Sequence, residues 1–293
     1  MARTRPDVLT VLSEAEWREQ MRAHDKRAEG FTRKHMARRR AGTKHPVYDF
    51  LFEYYPVRVS HLHRWHPGVG VALEGKPPHS EWKGYTHRAE GVTVDVAGLR
   101  QVRGSSWAFI LDLLSRTMTN PAHFDCFGLH EWAMVYRTNH PRHDLPLRLG
   151  AEGTNQVVED NSIRCTHFDA FRFFTPSARP LNLRVLTRES QPAYEQRGCL
   201  HATMDLYKWA AKLGPIVPGE LWLDTFELAR DARILDMEAS PYDCRGYGFG
   251  VVPIETPEGK AEYVARQREL ANRGEVLRHR LVAALNQALG RLD

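Results

Sequence analysis

The chain has no cysteines in C-x-x-C spacing; its four, Cys126, Cys165, Cys199 and Cys244, lie far apart in the sequence. That disfavours a zinc site built from such pairs and leaves reduced thiols as the expectation. No apolar run approaches the roughly 18–20 residues that span a bilayer. The charged N-terminus lacks a signal-like apolar stretch. A cytoplasmic protein with no membrane partner is therefore expected. There is no P-loop, no G-x-S-x-G elbow and no dinucleotide G-x-G-x-x-G leading into a helix, which removes the commonest nucleotide and acyl-transfer signatures. A zinc-protease H-E-x-x-H fails on one residue: after His130-Glu131, Met134 stands where the second histidine belongs. Solenoid repeats and low-complexity segments are also missing.

What is present is an ordinary globular composition. The 293 residues are 42% hydrophobic and 26% charged, with a net charge of +5. That length permits a substantial core, and nothing marks a flexible interdomain linker. The mild basic excess permits a polyanionic partner without requiring one.

Helical signals dominate. Ser13-Glu14-Ala15-Glu16 spells a capping box, and the polar helix it opens is expected to run to about Arg40. The helix ends in a basic cluster, Arg33 to Arg40, which suits either a solvated C-terminus or phosphate contact. From about Val69 to Arg103, glycine, proline and short β-branched runs predict small strands or a long loop. Further helices are expected over Trp107–Met118, His123–Arg137, Pro192–Leu213 and Pro218–Ala229, and from Pro257, placed for a first turn, to about Leu289. The fold expected is mainly α: a single globular helical domain (1–293) with a small β/loop insertion near residues 69–103. Its parts are a basic N-terminal helix (1–44), a central helical core carrying the site (45–255) and a C-terminal helix (256–293).

Three stretches put histidine beside a carboxylate among aromatic rings. They are His123-Phe124-Asp125 through His130-Glu131-Trp132, His167-Phe168-Asp169, and His201 with Asp205. Imidazole and carboxylate form the usual proton-transfer pair and also the usual mixed nitrogen/oxygen ligand set. His201 and Asp205, four apart, share a helix face, and Lys208 stands where it could neutralise Asp205. The ordinary alternative for each pair is a stabilising ion pair, and for the phenylalanines a plain core. Pro67-Gly68-Val69-Gly70 spells the hairpin of a helix-hairpin-helix, but Val71 to Pro78 cannot supply the helix that must follow.

The blocks His45-Pro46-Val47-Tyr48-Asp49-Phe50-Leu51-Phe52-Glu53-Tyr54-Tyr55, Leu62-His63-Arg64-Trp65-His66-Pro67-Gly68 and His201 to Trp209 resemble a family of actinobacterial proteins commonly named 3-methyladenine DNA glycosylase. The resemblance runs from the first helix to Tyr242. The aspartate expected after a helix-hairpin-helix in the better-understood alkylbase glycosylases has no clear counterpart here. The resemblance implies a DNA-repair N-glycosyl hydrolase that releases an alkylated or modified purine, with DNA or a modified nucleoside or nucleotide as partner and no cofactor.

Such a reaction passes through a cation-like sugar and needs a carboxylate, a stacking pocket and cations for phosphate. Under that expectation Asp125 or Asp169 is the catalytic carboxylate, with His130, Glu131 or His167 assisting. Tyr54, Tyr55, Trp65, Trp132 and Phe168 supply rings, and Arg58 and Arg64 meet phosphate. The alternative is a helical metal-dependent hydrolase or oxygenase, with His123, His130, Glu131, His167, His201 and Asp205 holding iron, zinc or manganese.

Overall fold

A computed structural model describes residues 10–55 and 57–291. The architecture is mainly α with one small sheet, as expected. In chain order the elements are β1 (Thr10–Leu12), α1 (Glu14–Arg40), α2 (Phe50–Glu53), α3 (Val59–Leu62), β2 (Val71–Leu73), β3 (Tyr85–Arg88), β4 (Gly91–Val94), α4 (Val96–Thr119), α5 (Leu129–Ala133), α6 (Gly150–Glu159), α7 (Phe168–Phe171), α8 (Gln191–Tyr194), α9 (Leu200–Met204), α10 (Leu206–Leu213), α11 (Gly219–Glu238) and α12 (Pro257–Leu289).

The long helices start where their caps place them. Ser13 and Glu16 close the predicted capping box on α1. Asp95 accepts from the Gly98 amide and starts α4 at Val96, eleven residues before the expected Trp107. Thr256 caps α12, Pro257 occupies its first turn, and Gly290 (φ 69°) ends it. The insertion is therefore shorter than expected. Its strands join β1 in a sheet of order β1-β2-β4-β3, with β1 parallel to β2 and the other pairs antiparallel. β2 directly follows Pro67-Gly68-Val69-Gly70, so no helix-hairpin-helix forms.

The core is centred on α11, which packs against α9, α10 and α12, while α4 lies on α12 and α1 lies on α11. Two expected helices are broken at the points that matter for chemistry. Residues 120–128 are irregular, and only Leu129–Ala133 is helical. The turn before it has Phe127 at φ 48° and Gly128 at φ 74°. A left-handed phenylalanine costs about 1–2 kcal/mol, and here the turn delivers His130 and Glu131 inward. The expected Pro192–Leu213 helix is split into α8, α9 and α10. Asp205 stands at the α9–α10 break, with its side chain directed inward.

Candidate active site

The three histidine/carboxylate stretches meet beneath α11. His130, Glu131, His167 and Asp205 are almost wholly buried. The His201 ring lies 4.3 Å from that of His130 and 5.4 Å from that of His167, centroid to centroid. Two ionic poles flank these three imidazoles.

One pole is built on α11. Asp236 accepts from His130 Nε2 at 2.8 Å, and Arg233 Nη1 donates to Asp236 at 2.6 Å and to Glu131 at 3.3 Å. Burial alone would depress His130; its hydrogen bond to Asp236 outweighs that and raises it well above the ordinary imidazole value. Burial, and then the charge on Asp236, push the Glu131 carboxyl upward against the pull of Arg233.

The other pole gathers around Lys208, which donates to Asp205 and, at 3.0 Å, to Asp169. Asp205 also accepts from the Tyr55 hydroxyl at 3.0 Å and lies 3.2 Å from His167 Nε2, with Glu195 3.6 Å from the same nitrogen. These His167 contacts are ionic approaches without hydrogen-bond alignment. Burial would raise Asp205, but Lys208 and then His167 hold it below the usual carboxylate range. Asp169 accepts from Arg188 at 2.8 Å and lies 3.4 Å from Arg172.

Lys208, Arg172, Arg188 and Arg233, with protons on His130 and His167, give six positive charges against the five carboxylates Glu131, Asp169, Glu195, Asp205 and Asp236. His201 is then the neutral imidazole. Burial first, and the neighbouring His130 second, hold it down to about 3. Among the described residues it makes no hydrogen bond through either ring nitrogen.

His201 borders two cavities. A cavity of about 20 Å³ is lined by Glu131, Asp169, His201 and the rings of Phe50, Tyr54 and Phe173, room for about one water. A second, of about 10 Å³, is lined by Cys126, Cys165, Cys199, His130 and His201. Outside the first lies a cleft of about 380 Å³, sharing Tyr54 and Asp169 with it and adding Tyr55, Phe109, Arg172, Arg188, Lys208, Trp209 and Lys212. Four cations against one carboxylate make this cleft a place for an anion with a flat ring.

Several expected site residues lie elsewhere. Asp125 pairs with Arg164 at 2.8 Å on a partly exposed rim, and His123 is exposed at the mouth of the thiol-lined cavity. Trp132 is fully buried and donates to the Ala239 carbonyl, so its faces serve packing, not stacking. Trp65 packs with Trp17 and Leu73 in a separate small cluster. Arg58 precedes α3, and Arg64 lies over the Trp82 ring; neither borders the cleft. Phe168 stands beside it, under the Arg188 guanidinium.

A metal ion could be held by His130, Glu131, His201 and Asp236, whose ligand atoms all lie within 4.8 Å of one another. The expected ligands His123, His167 and Asp205 fall outside that group. Asp236 and Arg233 were not foreseen. The run Arg230-Asp231-Ala232-Arg233-Ile234-Leu235-Asp236 reads as a solvated helix face, and only the apolar flanks of Arg233 hint otherwise.

The fold and site define a helical protein with a buried, ion-paired histidine/carboxylate centre beneath a cationic aromatic cleft. No protein-family model, curated protein or solved structure matches the chain. No described helix is long and apolar enough to cross a membrane.

Proposed function

We propose that this chain is a hydrolase that cleaves the N-glycosidic bond of a modified purine, carried in DNA or in a free nucleotide. The observation that carries the reading is one water-sized cavity lined by Asp169, Glu131 and His201, sharing Asp169 and Tyr54 with the cationic aromatic cleft. A flipped or free base stacks on Tyr54 and the exposed Phe109 ring. Its phosphate takes the exposed guanidiniums of Arg172 and Arg188, drawing them off Asp169. Asp169, still held by Lys208, then faces the cation-like sugar, as a carboxylate must in glycosidic cleavage. A water in the small cavity donates a hydrogen bond to the neutral His201 imidazole as it adds to the sugar and releases its proton to solvent; an alkylated purine is cationic while bonded and departs as a neutral base, so it needs none. Alkylation already makes a purine a good leaving group, so stacking and the carboxylate carry most of the rate.

The test is base release from alkylated DNA and from alkylated nucleotides by purified protein. Asp169→Asn and His201→Asn are expected to lower release by at least about a hundredfold, the scale of a lost acid–base group, with circular dichroism unchanged. Full activity in folded Asp169→Asn would refute the assignment, and no release from either substrate by the wild type would refute the reaction.

A second reading, a metal-dependent hydrolase or oxygenase, is favoured by the spacing of His130, Glu131, His201 and Asp236. A divalent ion there would displace the proton shared by His130 and Asp236 and add one positive charge, which the two carboxylates Glu131 and Asp236 would face directly. Iron, zinc and manganese suit mixed imidazole and carboxylate ligands. Near-stoichiometric metal in protein purified without chelator, lost in both His201→Ala and Asp236→Asn, is the result expected under this reading. Metal-free protein that releases base decides for the first.

A further inference from the structure

A second cleft lies on the opposite side of α2 and belongs to neither reading. It has a volume of about 390 Å³ between α1, α2 and α11, and its walls include the rings of Phe31, Phe52 and Phe226. The Phe31 and Phe52 rings lie 5.1 and 5.4 Å from Phe226, both tilted, and His35 stacks on Phe52 at 4.2 Å. Lys34, Arg38 and Arg230 supply positive charge. Arg38 is committed to Asp49. The one acid lining the cleft, Asp231, is held by Arg230 at 2.9 Å and Arg273 at 2.7 Å. Lys34 makes no ion pair among the described residues. A ligand would thus meet one free ammonium beside two guanidiniums already paired, Arg38 with Asp49 and Arg230 with Asp231 and Glu227, and no uncompensated carboxylate.

The second observation is Gly30. It sits inside a 27-residue helix, where glycine is the least favourable residue apart from proline. Packing does not require it: a Cβ built there meets nothing within 4 Å, and its φ is helical. Yet Gly30 lines the cleft, one turn before Lys34. A glycine kept at a cost in helix stability, on the wall of a ring-lined cationic cleft, leaves backbone open to close approach.

We propose that this cleft binds a flat aromatic ring carrying a phosphate, as in a purine nucleoside monophosphate. The ring lies against Phe31, Phe52 and the Gly30 backbone, and the phosphate meets Lys34 and Arg230. The same chemistry could come from a free nucleotide or from a nucleotide of a strand held in the first cleft.

Calorimetric titration with AMP and with a ten-nucleotide single strand separates these sources. Wild-type protein is expected to bind AMP, and Gly30→Leu, which fills the cleft, and Lys34→Glu, which reverses its free charge, should each weaken binding at least about tenfold. Gly30→Leu and Lys34→Glu should leave base release at the first site unchanged, so failure at the first site is distinguishable from failure here. Gly30→Ala serves as the folding control and should raise the unfolding midpoint by a few degrees. If only the strand binds and Gly30→Leu weakens it, the phosphate belongs to a nucleic acid and the site stands. If Gly30→Leu and Lys34→Glu leave the affinity for both probes unchanged, or if neither probe binds the wild type, the proposal is overturned.

Discussion

Arg233→Leu is expected to destabilise the protein by about 3–5 kcal/mol, the usual cost of removing one partner of a buried ion pair. The guanidinium is 1% exposed. It bridges Glu131 and Asp236, donates to His143 Nε2 at 3.2 Å, and lies 4.0 Å over the Phe50 ring. Leucine would fill much of that space but leave two buried carboxylates facing one another with only His130 as counter-charge. Total stabilities are typically about 5–15 kcal/mol, so the loss decides whether the chain folds at body temperature. Arg233→Lys should recover only part of it, because an ammonium cannot present the planar fork that reaches both acids. Adding Glu131→Gln to Arg233→Leu should restore stability relative to the single variant, since one of the two stranded charges is gone. Urea unfolding of the three variants checks this. An Arg233→Leu midpoint within error of wild type would mean that the acids are neutral in the folded state and the charge count is wrong.

The centre was legible where local spelling carried it. His130-Glu131, His167 with Asp169, and His201 with Asp205 each announce imidazole and carboxylate within a few residues, and all six side chains converge. Lys208, three residues past Asp205, was readable as its counter-ion. Asp236 was hidden by the same rule: it has no histidine near it in sequence, and its helix carries charges at spacings that also describe a solvated face. The rings misled for a related reason. Trp65 and Trp132 look identical on paper to Tyr54, but a ring's role depends on whether an open cleft lies beside it, and that is a property of packing among distant elements. The helix across residues 191–213 was overrun because helix-forming residues continue through Asp205. The break is imposed by the carboxylate's inward partners Lys208, His167 and Tyr55, which lie within and beyond the segment. Cys126, Cys165 and Cys199 also looked unrelated in sequence, yet line one cavity. Burial holds the Cys165 and Cys199 thiols above their ordinary values.

Acid should destabilise the protein before its carboxylates titrate, through a seam of three neutral imidazoles remote from the centre. His24 Nε2 donates to the Leu62 carbonyl at 2.9 Å, His79 Nε2 donates to the Trp65 carbonyl at 2.8 Å, and His66 Nδ1 meets the Tyr85 hydroxyl at 2.7 Å. Together they tie α1, the Trp65 segment and the sheet to the start of α11. The Nδ1 atoms of His24 and His79 are buried without a partner, so protonation would create a charged donor with no acceptor. His24 faces a second penalty, since its Nδ1 abuts Gly219 in the first turn of α11, the positive end of that helix. Burial lowers all three, and burial with the nearby His79, His24, Arg64 and His61 brings His66 to about 3. A histidine depressed in the folded state binds fewer protons there than in the unfolded chain. Its contribution is complete above an unfolded value of roughly 6.5 and is lost as pH falls from there toward the folded value. A fully depressed imidazole contributes a slope of about 1.4 kcal/mol per pH unit; His66 carries that slope between roughly pH 6 and pH 4, and His24 and His79 add to it in the same direction. Two units of acidification would then remove about 3 kcal/mol through His66 alone, a large part of an ordinary stability. Denaturant titrations at stepped pH should show His66→Phe lowering that slope by close to one proton's share, while a surface control such as His87→Gln leaves it intact. A wild-type stability that stays flat from pH 7 to pH 4.5 would mean that these imidazoles accept protons without unfolding the chain, and the seam would then be a hydrated contact and not a structural one.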